Sequence, residues 1–463
     1  MRTILFKNTI LVTGIAAMLL SCNSTRHFHK ETVDTENLYG DTVADDSTTM
    51  ADTPWQELFA DPYLQDLISE GLDNNPDLQI AVYQVMEAEA YFSQSKASFY
   101  PTLDVGATAA YVRNSKDLYP AGPRDYEDYQ LAAQSSWEVD IWGKLRSSKR
   151  AAYGDLLASD AGKKVVQTRL VANIASAYYT LMALDDQLAV TRQTVKNYID
   201  LVETMKALKE NGQVTGAAVV QTEANLHAAE VSIPDLEQQI RETQNTLCIL
   251  LGRTPGNIER GALEDQKKVA LLQTGVPSQL LDNRPDVMQA EYQVMSAFEI
   301  TRNARSYFYP ALTITASTGF ESGKLHELLD PDQFIANVLG GLSAPLFNKR
   351  ANATRLKVSR AQQEEALINL RNVLLTAGQE VNNAMGSYES AEKKTVFRQQ
   401  QLNALQLSVE YTEELLTYGS ADYTEVLTAR QSLLAAQLND VDDRLQQFNA
   451  VVSLYRALGG GWK

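Results

Sequence analysis

The nucleophile best placed for chemistry is Cys22. Leu19-Leu20-Ser21-Cys22 closes an apolar run from Ile10 to Leu20, and Arg2 and Lys7 precede that run. A positive start, a short apolar segment and a small residue before cysteine form the pattern of a secretory signal cut ahead of a cysteine whose thiol then takes lipid. This reading makes residues 1–21 a lipoprotein signal and Cys22 an acylated amino terminus. The alternative is an ordinary signal with an incidental cysteine. Cys248, the only other cysteine, sits at helical spacing among Leu247, Leu250 and Leu251, where a buried free thiol is expected. With Cys22 acylated, no disulfide can form.

The other reactive side chains do not converge. His27 and His29 stand in a segment rich in Ser, Thr, Asp and Glu, and no Cys or carboxylate cluster at ligand spacing joins them, so they read as solvated. His227 and His326 are far apart in the chain and read as surface residues. There is no G-x-S-x-G, H-E-x-x-H or P-loop pattern, so no catalytic residue, metal site or cofactor is expected. The formal charge is −17, and loss of Arg2 and Lys7 with the signal takes it two units further. So acidic a chain repels nucleic acid and anionic lipid surfaces.

The elements that carry these residues are written twice. Leu72-Asp73-Asn74-Asn75-Pro76-Asp77 reads again as Leu281-Asp282-Asn283-Arg284-Pro285-Asp286, and the same offset of 209 takes Phe99-Tyr100-Pro101 to Phe308-Tyr309-Pro310. An offset of 207 takes Gly212 to Gly419, Val219 to Val426 and Leu251-Gly252 to Leu458-Gly459. Two long copies suggest a pseudo-twofold unit made to fit a ring, where many short ones would mean a solenoid. The boundaries follow: a signal over 1–21, an acylated flexible tether over 22–53, a first repeat over 54–262 and a second over 263–463.

No proline falls between Arg124 and Ile233 or after Pro345, so Ser147–Glu210 and Lys349–Tyr418 can run as unbroken helices. Ile174, Ala177, Leu181, Leu184, Leu188, Thr191, Val195, Tyr198, Val202 and Met205 fall on a and d of successive heptads, and Leu367, Leu370, Leu374, Ala377, Val381, Ala384 and Tyr388 repeat that seam. Each long helix turns back at a glycine into a helix of about 35 residues, giving an antiparallel hairpin. Pro234 is expected to kink the first return helix. Upstream of each long helix the period drops to two. Leu103, Val105, Ala107, Ala109 and Tyr111 alternate with Asp104, Gly106, Thr108 and Ala110, and Tyr129, Leu131, Ala133, Trp137 and Val139 alternate with Gln130, Gln134, Ser136, Glu138 and Asp140. The second copy has Leu312, Ile314, Ala316 and Phe320 against Thr313, Thr315, Ser317 and Glu321, and a strand from Phe334 to Ala344 whose polar face Ile335 and Leu339 interrupt. Such strands suit a membrane barrel or a sheet on a soluble core. Trp137, Trp142 and Tyr129 resemble an interfacial aromatic girdle. Four strands cannot close a membrane barrel, so copies must join: two would give eight strands and three would give twelve.

Trp55-Gln56-Glu57-Leu58-Phe59-Ala60-Asp61-Pro62, the helix starts at Asn75-Pro76-Asp77 and Arg284-Pro285-Asp286, Ser136 to Leu145, Ala344-Pro345-Leu346-Phe347 and the closing Leu454 to Trp462 come in a specific order and spacing. By these the chain resembles the outer membrane factors of bacterial tripartite efflux systems, the TolC-like channels, in their OprM-type lipoprotein branch. The resemblance implies an α+β homotrimer with four strands per chain in a shared twelve-stranded outer-membrane barrel. A barrel of long coiled helices would then reach through the periplasm. It implies that the helices from Pro76 and Pro285 stack end to end on the return helices. It also implies a passive exit channel for small molecules, docked by a periplasmic adaptor and an inner-membrane pump of RND type and seated in outer-membrane lipid. A type I protein secretion conduit is the alternative, and a structural coiled-coil lipoprotein is the rival of another class. The hairpin tips, with Gly212, Gly216, Gly419 and Ser420, would face the adaptor. The family's periplasmic gate carboxylate matches Glu425, with Asp422 one turn earlier. Its second carboxylate would fall on Thr428 and its bracing basic residue on Ala421, so this chain departs from the family there. Asp422 and Glu425 also suit capping of the return helix, although Glu425 is expected to lie beyond its first turn.

Cys22→Ser is expected to abolish fatty-acid labelling of the mature chain. Label on the variant, or a wild-type chain that keeps residues 1–21, would contradict the anchor.

Overall fold

The structure, a computed structural model, describes residue 38 and residues 49–115, 124–266, 274–275, 277–418 and 420–463, which form one compact body. The signal, Cys22, His27, His29 and Gly419 lie outside the described residues. The folded body reaches back to Thr49: Met50 and Ala51 are buried, and Tyr455 donates its hydroxyl hydrogen to the carbonyl of Thr53 at 2.8 Å. The tether expected through residue 53 therefore ends earlier.

The main helices are α1 (Pro62–Asn74), α2 (Pro76–Ala97), α3 (Lys144–Glu210), α4 (Gly216–Leu250), α5 (Pro285–Ser306), α6 (Ala351–Thr417) and α7 (Tyr423–Leu458). The strands are β1 (Thr102–Arg113), β2 (Asp125–Val139), β3 (Ala311–Ser322) and β4 (Phe334–Ser343). Each repeat is a helix, two strands and a helical hairpin, as its sequence implies. Both long helices have 67 residues, a length of about 100 Å. The first starts before Ser147 because the carboxylate of Asp140 accepts from the amides of Leu145 and Arg146, both at 3.1 Å. The second starts after Lys349 because Lys349 and Arg350 both have positive φ, at the place where the first repeat has Gly143. α4 runs unbroken through Pro234.

Most of the heptad seam is buried where the sequence places it, while Ala177, Val195, Leu367 and Tyr388 are half-buried. Leu181, Leu188, Tyr198, Val202 and Met205 on α3 and Leu370, Leu374, Ala377 and Val381 on α6 are all at most 9% exposed. α3 packs against α2, α4, α5 and α7, and α6 packs against α5 and α7.

The short helices stack on the return helices through one joint used twice. In the first repeat Asn75 caps α2, accepting from Leu78 at 3.0 Å, while its amide donates to the carbonyl of Leu250 at the end of α4, at 2.8 Å. In the second repeat Arg284 donates to the carbonyl of Ala457 at the end of α7, at 2.7 Å. Each bond satisfies a carbonyl that the helix end leaves without an intrahelical partner. Gly252 and Gly459 close the two joints with φ of 69° and 92°, and a Cβ on either would overlap the carbonyl oxygen of Asn74 or Asn283. Left-handed backbone and close approach together require glycine there.

The chain is therefore an open strip of helical columns: α4 stacked on α2, then α3, then α7 stacked on α5, then α6. Its two outer flanks keep apolar residues exposed, among them Ile80, Tyr83 and Met86 on α2 and Ile368, Val396 and Phe397 on α6. The sheet has the same openness. Its order is β1-β2-β3-β4, all antiparallel, and β1 and β4 are exposed along nearly their whole length. Because α2 leads into β1 and β4 leads into α6, the free strand edges and the uncovered helix faces lie on the same two flanks. Register puts Leu103, Val105 and Ala107 beside Ser135, Ala133 and Leu131, and Leu131 beside Phe320, so one sheet face is mostly apolar across all four strands, interrupted by Ser135 and Thr318. The other face carries Asp104, Thr108, Gln130, Gln134, Thr313 and Thr315. Among the described residues no helix is long and apolar enough to cross a membrane.

The second joint is charged and the first is not. Arg284, 5% exposed, forms two hydrogen bonds to Asp286, at 3.0 and 2.6 Å, and one to Glu380 at 2.8 Å. Burial pushes the Asp286 carboxyl up, but the bonds and charge of Arg284 outweigh it and hold that carboxyl below the usual range. A depressed folded value contributes stability above the ordinary carboxylate range, which is lost as pH falls through the folded value. Asp286→Asn is expected to cost about 1.5–3 kcal/mol at neutral pH and to flatten the acid side of the thermal midpoint against pH. Asn75→Ala should lower the midpoint at all pH values alike. An unchanged acid limb in Asp286→Asn would contradict the assignment.

Candidate functional site

The two hairpin tips are built by local capping and joined by one core. α3 ends at Glu210, Gly212 turns the chain with φ of 74°, and Thr215 caps α4 by accepting from Ala218 at 3.3 Å. At the second tip the amide of Ser420 donates to the carbonyl of Leu415 at 2.8 Å, and Asp422 caps α7 by accepting from Thr424 at 3.3 Å. Beneath the turns Met205, Val219, Leu416, Val426 and Leu427 pack with Tyr198 and Leu201 in a single apolar cluster drawn from all four hairpin helices. Gly212, Gly216 and Ser420 are exposed above it.

Both expected gate residues are exposed on α7. Asp422 is its N-cap, and Glu425 occupies the first turn, with its amide donating to the Asp422 carbonyl at 3.0 Å. This corrects the expectation that Glu425 lies past that turn: the helix begins only at Tyr423, because Asp422 takes the capping place. Glu425 is thus favoured by the helix dipole and still free to point a carboxylate outward. Among the described residues no cluster of three His, Cys, Asp or Glu side chains could hold a metal.

Ion pairs that the sequence did not announce hold the hairpins shut. Arg430 pairs with Glu413 across α6 and α7. Further up, buried Asp443 on α7 takes Arg398 at 2.8 Å and Lys394 at 3.5 Å from α6. Lys206 meets Glu223 at 2.8 Å in the first hairpin, and Gln431 donates to Asn225 at 3.1 Å between the two. The available signal was opposite charge on two facing helices, too common to single out a pair.

Trp142 is a correction. It does not share a girdle with Trp137 and Tyr129. Its indole donates to the carbonyl of Pro310 at 2.7 Å and its ring stacks on Tyr309, with centroids 5.1 Å apart, so it clasps the two repeats below the sheet. Tyr129 and Trp137 remain on the apolar sheet face, eight residues and about 26 Å apart along the strand, close to the height of an outer-membrane apolar band. His227 and His326 are exposed and lie beside Glu230 and Glu327, at 2.8 and 3.4 Å. Cys248 is buried, with its thiol 3.6 Å from the carbonyl of Gly256.

Comparison with known proteins adds to this geometry. The family model described as outer membrane efflux protein matches twice, over residues 67–253 and 276–460. The probable outer membrane lipoprotein SilC of Salmonella typhimurium is 29% identical over 418 residues, covering 89% of this chain and 88% of SilC. The cation efflux system protein CusC of Escherichia coli strain K12 is 27% identical over 409 residues, 88% of each chain. A crystal structure of CusC superposes with a TM-score of 0.85 at 25% identity, over 95% of this chain and 100% of that one.

Loss of the Asp422 cap has a local cost. Asp422→Ala is expected to destabilise the start of α7 by about 1 kcal/mol, seen as several-fold faster hydrogen exchange at the amides of residues 423–426 with the body of the hairpin unchanged. Unaltered exchange there would show that the side chain does not cap.

Proposed function

Because the chain belongs to the outer membrane efflux protein family, we propose that three copies close into the exit channel of a tripartite efflux system, with Glu425 as its periplasmic gate. The observation that carries this reading is that one chain is open on the same two flanks in both its layers. Free strand edges are not tolerated in lipid, and four strands are too few to close. Joining copies flank to flank pairs the edges and covers the exposed faces of α2 and α6 in one step. Twelve strands leave room for a lumen. The apolar sheet face then meets lipid, and the face with Asp104, Thr108, Gln130, Gln134, Thr313 and Thr315 lines the passage.

The conduit is passive. Its lumenal side chains are hydrogen-bonding groups spread along strands, suited to letting solutes pass. Energy and choice of cargo belong to an inner-membrane pump, reached through a periplasmic adaptor that docks on the tips around Gly212, Gly216, Gly419 and Ser420. A chain of formal charge −17 draws cations into such a passage, and CusC is named for cation efflux. Cys22, outside the described residues, adds a lipid anchor, in keeping with the name of SilC.

Threefold symmetry would bring three Glu425 carboxylates together at the tip, five residues before Arg430, which pairs with Glu413. That tie holds α7 against α6 within each copy. In planar bilayers the purified assembly is expected to prefer cations and to be blocked by multivalent cations from the periplasmic side. Glu425→Ala should reduce that block at least tenfold with the yield of assembled channel unchanged. Wild-type block and selectivity in Glu425→Ala would place the constriction elsewhere, and a wild type that never conducts would overturn the channel reading itself.

A further inference from the structure

The internal repeat fixes a strand register that no contact within one chain shows. Carrying β1 onto β3 by 209 residues and β2 onto β4 by 207 turns the pair Thr102↔Ser136 into Ala311↔Ser343, which is the pair observed. Both repeats therefore use one register within their strand pairs. The same offsets carry the remaining ladder, β2 against β3, onto β4 of one copy against β1 of the next. Leu131↔Phe320 becomes Val338↔Tyr111, Ala133↔Thr318 becomes Gly340↔Ala109, and Ser135↔Ala316 becomes Leu342↔Ala107. Every one of these transferred pairs joins residues of the apolar sheet face. A slip of one residue would set that face of one copy against the lumenal face of its neighbour.

The lumenal face gives a second, independent sign. Its larger aliphatic residues, Val112 on β1 and Ile335 and Leu339 on β4, lie on the two edge strands, while the inner strands present Gln130, Gln134, Glu138, Thr313, Thr315 and Ser317 there. Leu339 is 64% exposed in one chain. The transferred register sets Leu339 opposite Ala110 and Asn337 opposite Val112, so Leu339 and Val112 become diagonal neighbours, within reach of one another. Ile335 comes beside Val112 from the other side. In the chain the matching position is Ala132↔Gly319, where a Cβ on the glycine would overlap the backbone of Leu131. The seam thus packs side chains where the inner ladder packs backbone.

Resting on the ring reading above, we infer that β4 of each copy pairs with β1 of its neighbour with Leu342 opposite Ala107, and that Ile335 and Leu339 close an apolar seam with the neighbour's Ala110 and Val112 inside the lumen. The partner is a second copy of this chain, and the residues that break the polar alternation of β4 are its contact. The seam sits where subunits part, so it adds to closure of the barrel and nothing to the fold of one chain.

Paired cysteines test the register in the full-length protein, in outer membranes, with Cys248→Ser as background. Leu342→Cys with Ala107→Cys and Gly341→Cys with Thr108→Cys place one pair on each face, and so one at each kind of ladder position. Directly opposite residues have Cβ atoms close enough for a disulfide, and diagonal ones do not. On mild oxidation at least one of these variants is expected to run as covalent dimers and trimers on denaturing gels. Leu342→Cys with Val105→Cys or with Ala109→Cys should give at least tenfold less. Stronger linkage in an offset pair, or none in any pair while the wild type remains a trimer in mild detergent, would overturn the register. A wild type that is monomeric in mild detergent would overturn the ring reading as well. For the seam, Leu339→Asn is expected to lower the temperature at which the trimer falls apart on a gel, while Thr315→Asn, within the chain's own ladders, leaves it unchanged. Equal effects of the two would contradict the seam.

Discussion

Backbone polar groups at a strand edge in hydrocarbon must find a partner, and most of this structure follows from that requirement. An unsatisfied amide or carbonyl there costs several kcal/mol, and β1 and β4 each present a whole row of them. Among the described residues no helix covers those edges. The same flanks that bear the edges also bear the uncovered apolar faces of α2 and α6. A single chain is thus a segment of a wall, and its free groups are satisfied together when segments join.

The repeat makes such a wall economical to encode. Each half supplies two strands, a helix of 67 residues and a stacked pair of shorter helices, and the joint between stacked helices uses equivalent residues in both halves. Departures from equivalence mark where the halves do different work. Asn75 is replaced by Arg284 with its two carboxylates, so the second joint carries charge through the middle of the wall. Ala218, buried at the first tip, becomes Glu425, exposed at the second. The first hairpin therefore contributes packing at the tip, and the second contributes the carboxylate.

What could be read from the sequence depended on whether the interaction was local and periodic. Strand alternation placed all four strands on the correct face, including the flaw at Ile335 and Leu339. Heptad spacing placed Leu181, Tyr198, Met205 and Leu374 in the seam. Element ends were less legible, because one carboxylate at Asp140 or one capping place at Asp422 moves a start by two or three residues. Contacts between distant parts left no periodic trace. Trp142 and Pro310 are separated by 168 residues, and an isolated tryptophan after a strand looks the same whether it meets lipid or a carbonyl. Arg430 and Glu413 were equally silent, since charged residues line every exposed helix face. The repeat itself was the most informative long-range signal, because it carries geometry from one half to the other.

The central claim is that one chain is a third of a closed wall, and the mass of the assembly tests it most directly. Native mass spectrometry of the protein extracted from outer membranes in mild detergent is expected to give a single species of three chains. A stable monomer that keeps its sheet, or a dimer, would contradict the account, since the first leaves the strand edges open and the second closes eight strands with no room for a conduit.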